Sequence, residues 1–102
     1  MSIQDISCAE AKKLIQQGAQ LIDVRSTLEY QQGCLPGAVN LPLEYFQAAL
    51  DQLDRENPII LYCRSGMRSG QAKRFLQSLG FDAVHNLGSF QNFFQCAEPQ
   101  TC

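Results

Sequence analysis

Cys63 is followed by Arg64, Ser65, Gly66, Met67, Arg68 and Ser69, so one thiol precedes two guanidinium groups, two hydroxyls and a glycine. A cysteine acts as a nucleophile through its thiolate, which neighbouring cations and amides aimed at the sulfur favour. Ile59 to Tyr62 is continuously apolar, as expected of a strand buried on both faces of a parallel sheet. Ala72, Phe75, Leu76 and Leu79 fall at i, i+3, i+4 and i+7, so a helix begins near Arg68, and Gly80 with Phe81 ends it. Cys63 therefore sits at the carboxyl end of a strand and the mouth of a helix, where open α/β sheets bind ligands. Backbone amides from Arg64 to Ser69 can curl around one point, and the helix adds unpaired amides and its positive dipole end. Gly66 suits the positive φ of such a curl, and Ser65 and Ser69 offer hydroxyl donors to a terminal sulfur or an oxyanion. The expected chemistry is nucleophilic attack by Cys63 on an anion held by this loop. A free cysteine ending a strand is often only a small core residue. Polar residues crowded at the end of an apolar strand make a poor core, which favours the functional reading.

The remaining residues restrict the alternatives. His85 is the single histidine, so a histidine-rich metal site is excluded, no metal is expected, and His85 itself reads as structural. Five cysteines, at 8, 34, 63, 96 and 102, form an odd set without a close pair, which predicts neither a disulfide framework nor a zinc site. Cys8 reads as partial core, Cys34 as a turn residue open to solvent, and Cys96 and Cys102 as tail residues; Cys34 or a tail cysteine is a candidate to resolve an oxidised Cys63. A net charge of -2 with scattered basic residues argues against nucleic acid as a partner. No run approaches the roughly 18 apolar residues of a membrane span, and the opening residues do not resemble a signal peptide, so a cytoplasmic location without membrane contact is expected.

The elements that must position the loop follow from local signals. Ser7 with Glu10 is a capping pattern for a helix from about Cys8 to Gln17, and Ser26 with Glu29 repeats it after a strand at Gln20 to Val24. Ala38 to Leu41 reads as a second strand, Leu43, Phe46, Leu50 and Leu53 keep helical spacing, Ala83 to Asn86 reads as the last strand, and Phe90 to Phe94 as a final helical turn. Short alternating units of this kind predict an α/β three-layer sandwich around a central, mainly parallel sheet of four to five strands. One domain, 1–95, with a loosely tied tail, 96–102, is the expected organisation.

The Cys63 to Ser69 loop, Ile22-Asp23-Val24-Arg25 with Glu29-Tyr30, Leu35 to Pro42 and Asn86-Leu87-Gly88 together resemble a single-domain rhodanese over nearly the whole chain. Tyr62-Cys63 and Ser69 to Lys73 are most similar to the small phage-shock-type sulfurtransferases. The resemblance implies a thiosulfate sulfurtransferase without a cofactor, in which Cys63 takes the outer sulfur of thiosulfate as a persulfide and passes it to cyanide or a thiol. It also implies that Asp23 and Arg25 help to brace the site, although an Asp-Arg pair holding a turn explains them equally, and Glu29 reads as a helix cap. Cys34 stands where the family usually has His, Ser89 where it has a second Gly, and Phe93 near a frequent Trp; altered packing or regulation is the expected consequence.

Two rivals remain on the residues alone. Cysteine phosphatases and arsenate reductases resemble Cys-x5-Arg, whereas only four residues separate Cys63 from Arg68, so the ring of amides is small for a tetrahedral oxyanion. A sulfur-carrying module that receives sulfur from a protein persulfide would use the same Cys63 chemistry.

Overall fold

The computed structural model describes residues 4–96. Ser7 opens α1 (Cys8–Gln16) with the expected reciprocal cap: its side chain accepts from the Glu10 amide, and the Glu10 carboxylate accepts from the Ser7 amide. β1 (Gln20–Asp23) leads into the same device at Ser26 and Glu29, which starts α2 (Thr27–Gln31). β2 is only Val39–Asn40, β3 is Ile59–Cys63, α3 is Met67–Ser78 and β4 is Val84–Ser89. The helix after Cys63 thus starts one residue before the expected Arg68, and the last strand runs three residues beyond Asn86.

The segment after β2 departs from the expected helix. It forms two 3-10 helices, Leu43–Tyr45 and Gln47–Gln52, and the segment after β4 is a third, Phe90–Phe94. Bonds from Phe46 to Leu43, Ala49 to Phe46 and Leu53 to Leu50 join residues three apart. Apolar residues spaced by three share one face of a 3-10 turn, so the same residues are buried by a tighter winding.

The four strands are parallel throughout, in the order β2-β1-β3-β4. β3 lies between β1 and β4, and all five of its residues are buried. Its alternation sends Ile59, Leu61 and Cys63 to one face, where they join Val24, Ala72, Leu76 and Phe81. Ile60 and Tyr62 point to the other, among Ala11, Leu21, Leu35, Leu87 and Phe93. Helices therefore cover both faces, the expected three layers. Parallel strands bring every strand-to-helix turn, including those after Asp23 and Cys63, to one edge of the sheet.

β4 carries an irregularity. Leu61 pairs with Asn86 but Tyr62 pairs with Gly88, so Leu87 is an extra residue in the ladder. Such a bulge re-aims the side chains beside it. The outer edge of β4 is covered by Asp5, whose amide donates to the Asn86 carbonyl and whose Oδ1 accepts from the Asn86 amide.

The cysteine expectation is corrected. Cys8 and Cys96 form a disulfide, with Cα atoms 5.7 Å apart across 88 residues of sequence. α1 packs against the Phe90–Phe94 helix, with the Lys12 ammonium 4.8 Å from the centre of the Phe93 ring, and this docking brings the two thiols together. Tertiary packing, not sequence spacing, makes the pair. Among the described residues Cys34, half-buried, and Cys63, buried, take no part in a disulfide, whereas Cys102 and most of the expected tail lie outside those residues. Among the described residues no helix is long and apolar enough to cross a membrane.

Leu76 is fully buried between α3 and β3. Leu76→Ala should lower unfolding stability by about 3 kcal/mol, the cost of lost burial plus a residual cavity. Chemical denaturation measures it, and a loss below about 1 kcal/mol would show that this face of the sheet does not hold the domain together.

Candidate active site

The strand end, the loop and the helix start act as one unit around the Cys63 sulfur. Cys63 closes β3 with no exposed surface, and the chain turns immediately into α3. Gly66 makes that turn at φ 96°, a left-handed conformation that costs a side-chain-bearing residue strain. The turn directs the Gly66 amide at Cys63 Sγ over 2.9 Å. In the first turn of α3 the Ser69 amide lies 3.5 Å and the Ser69 hydroxyl 3.4 Å from the same sulfur. Burial pushes the Cys63 thiol up, but donors from Ser69, Gly66 and Ser65 outweigh it, and the net effect is downward. The backbone amides and the Ser69 hydroxyl thus make this buried thiol ionise more readily than an ordinary cysteine.

The other loop residues divide the work differently from the sequence expectation. The Ser65 hydroxyl accepts from the Met67 amide at 3.4 Å, while its own amide is the part that favours the thiolate. The Met67 side chain is exposed. Arg64 is exposed and lines a depression together with Arg25, Glu29, Gln32, Gly33 and Phe90. Arg68 does not present a free cation to a ligand: its guanidinium grips both oxygens of Glu29 at 2.7 and 3.0 Å. This bidentate pair ties the first turn of α3 to the first turn of α2. Its hydrogen bonds, with help from the Ser26 amide and hydroxyl, hold the Glu29 carboxyl down at about 2 against the opposing effect of burial. Glu29 is thus both the expected helix cap and the partner of Arg68.

Asp23 and Arg25 brace the next turn. Arg25 Nε and Nη2 donate to the Asp23 carboxylate at 3.0 and 2.7 Å, and Nη2 also donates to the Gly33 carbonyl at 2.6 Å. Asp23 is fully buried and also accepts from the Arg25 amide at 2.8 Å and from the Tyr62 hydroxyl at 2.9 Å. The Arg25 guanidinium lies 4.9 Å from the Phe90 ring centre, so the 3-10 helix after β4 closes over it. These contacts fix two strand ends relative to each other, the turn-holding role that the pair could have from sequence.

Two participants were not singled out as site residues from sequence. The Tyr62 hydroxyl spans Asp23 and the Leu35 amide, a role hidden because a tyrosine in an apolar run reads as core. Asn86 is buried on β4 and contacts Ser69 and Gly66; the signal open to sequence was an amide side chain between Val84 and Leu87 in the last strand. Cys96 is engaged by Cys8, which removes it in this state as a resolving thiol for Cys63.

A family model described as the rhodanese-like domain matches residues 7–96. The chain belongs to the rhodanese-like family. Among curated relatives, a sulfurtransferase of Allochromatium vinosum is 36% identical over 67 residues, which are 66% of this chain and 63% of that protein, so the match spans less than two thirds of that relative's length. Thiosulfate sulfurtransferase PspE of Escherichia coli is 36% identical over 73 residues, covering 70% of each chain. The solved human single-domain sulfurtransferase TSTD1 superposes with a TM-score of 0.77 at 27% identity, covering 95% of this chain and all of that one. The rhodanese-like fold expected from the sequence is therefore the one observed.

The lowered Glu29 carboxyl makes stability depend on pH with a definite sign. Its folded value near 2 lies below the ordinary 4.5, so the stabilisation from the Arg68 pair is complete above 4.5 and disappears as pH falls toward 2. Thermal melts of the wild type and Glu29→Gln across this range should show a gap in Tm that is constant at neutral pH and closes toward the acid end. A gap independent of pH would mean that the pair contributes no proton linkage.

Proposed function

We propose that this rhodanese-like protein is a sulfurtransferase that carries sulfane sulfur on Cys63, from thiosulfate or a protein persulfide to cyanide or a thiol. The observation that carries the reading is the Gly66 amide donating to a buried Cys63 sulfur whose thiol is displaced toward ionisation. An ionised Cys63 needs no general base. Its Sγ attacks the outer sulfur of thiosulfate, forming a new S–S bond while the old one breaks and sulfite leaves with the electron pair. In the second half, the acceptor attacks the outer sulfur of the persulfide and the electron pair returns to Cys63 as thiolate. Cyanide would leave as thiocyanate, and a thiolate would leave as a persulfide.

Residues around the sulfur fit these steps. The amides of Ser65, Gly66 and Ser69 supply fixed donors where negative charge resides, without reorganising during reaction. Arg64, exposed beside Cys63 in the chain, is the loop cation we assign to the approaching anionic donor. Arg68 acts from behind, through its charge and through the Glu29 clamp. The four residues between Cys63 and Arg68 make a small ring, matched to a single terminal sulfur more than to a tetrahedral oxyanion.

Peptide mass spectrometry without reductant, after thiosulfate and then cyanide, tests the proposal. Cys63 should gain one sulfur atom and lose it as thiocyanate forms, and Cys63→Ser should fold yet transfer nothing. Gly66→Ala should reduce transfer at least about tenfold by turning its amide away, given that one fixed oxyanion-type donor is worth about 10²-fold or more. A Cys63 that alkylates readily but gains sulfur neither from thiosulfate nor from a protein persulfide would overturn the assignment.

A further inference from the structure

Asn86 occupies a place that neither the strand nor the core requires. It is a buried amide in β4, next to the extra residue Leu87, and its side chain lies on the α3 side of the sheet. Asn86 Oδ1 accepts from the Gly88 amide at 2.9 Å and from the Ser69 hydroxyl at 2.7 Å. Asn86 Nδ2 donates to the Gly66 carbonyl at 3.2 Å. The Gly88 donor settles which end of the amide faces which way, because a flipped Asn86 would set an NH2 against an N–H. Gly88 reaches this position with φ 86°, and a Cβ there would meet Asn92 Nδ2 at 2.9 Å, so the bulge is built around a glycine.

Through these contacts Asn86 touches two of the residues that donate to Cys63, Gly66 and Ser69. The Gly66 carbonyl also accepts from the Gly70 amide at 2.9 Å, so Asn86 and Gly70 together occupy both of its lone pairs. The Ser69 hydroxyl has one proton and three acceptors within reach: Asn86 Oδ1 at 2.7 Å, the Gly66 carbonyl at 3.1 Å and Cys63 Sγ at 3.4 Å. With the Gly66 carbonyl already satisfied, the choice narrows to Asn86 and the sulfur. A charged acceptor forms the stronger hydrogen bond, so a thiolate draws the proton and a neutral thiol releases it to Asn86. Asn86 Oδ1 keeps the Gly88 donor in both cases and is never left without a partner.

We infer that Asn86 is a positioning residue of the sulfur site: it holds the Ser69 hydroxyl against Cys63 and supplies a second acceptor, so that donation to the sulfur follows the charge on it. The inference deepens the sulfurtransferase reading and rests on it for its biological use, since the Cys63 sulfur alternates between anionic thiolate and neutral persulfide linkage in that cycle. Without Asn86 the Ser69 hydroxyl loses the 2.7 Å contact that fixes its orientation beside Sγ, and it is free to turn away from the sulfur. The thiolate then loses a donor, and the thiol becomes a weaker acid.

The experiment is the pH profile of Cys63 alkylation by iodoacetamide, followed by peptide mass spectrometry so that other cysteines do not interfere. The midpoint of the profile reports ionisation, while the plateau at high pH reports access to the buried sulfur. Asn86→Ala should move the midpoint upward, and alkylation on the acid side of the wild-type midpoint should slow about tenfold for every whole pH step that the midpoint climbs. Ser69→Ala should move it in the same direction, and the double variant should move it no further than the larger single change. If Asn86→Ala does not fold, Asn86→Ser takes its place with the same reading. An unchanged midpoint in a folded Asn86 variant, an unchanged midpoint in Ser69→Ala, or additive displacements in the double variant would overturn the inference. A change confined to the plateau would also overturn it, since that is what a purely structural residue produces. No sulfur donor enters this measurement, so a failure of the sulfurtransferase reading would show separately, as absence of persulfide on a normally titrating Cys63.

Discussion

A sulfur whose negative charge is favoured beyond that of an ordinary cysteine, yet which has no exposed surface at the end of an apolar strand, is the constraint around which the rest of this domain is arranged. Water cannot solvate such a charge, so the chain must supply fixed donors in its place. The Gly66 amide, 2.9 Å from Cys63 Sγ, is the shortest of these contacts. It is available only because Gly66 adopts a positive φ and because α3 begins at the next residue. A strand that ends inside the sheet, followed without a linker by a helix, places sulfur and amides at the same point.

Three separate ties keep that point from spreading. Glu29 joins the starts of α2 and α3 through Arg68, Asp23 joins the ends of β1 and β3 through Tyr62, and Asn86 joins β4 to α3 through Ser69. Each is a charged or polar contact made at the carboxyl edge of the sheet, whereas the two apolar clusters lie on its faces. Stability and chemistry are thereby spatially separated. Every described buried side-chain nitrogen and oxygen has a hydrogen-bond partner, so none of these polar groups is buried at full desolvation cost.

Legibility from sequence followed the range of the interaction. Capping pairs such as Ser7 with Glu10, the continuous apolar run of β3 and the spacing in α3 are local, and each appears in the fold. Cys63 and its loop were legible because the donors are its own next residues. Arg68 was visible as a cation but not as the partner of Glu29, 39 residues away, and its role changes once that contact is known. The Cys8–Cys96 disulfide, whose members are 88 positions apart, exists only because α1 docks on the last 3-10 helix. Leu43 to Leu53 failed in a different way: apolar spacing of three and four serves an α-helix and a 3-10 turn alike.

A lowered thiol pKa carries a chemical compromise that bears on the proposed cycle. Ionisation raises the fraction of attacking thiolate, yet a less basic thiolate is intrinsically a weaker nucleophile. In the first half-reaction these effects oppose each other. In the second half Cys63 is the leaving group, and a less basic sulfur leaves faster. The cradle of Gly66 and Ser69 amides therefore favours unloading of the sulfur as much as loading. A donor whose proton can move away while Cys63 is not charged, as assigned to Ser69 with Asn86, tempers the compromise: stabilisation is strongest when the sulfur leaves as an anion and weaker while it is the uncharged inner sulfur of a persulfide. In the proposed cycle the adjustable donor would thus act on the step where the negative charge returns to Cys63.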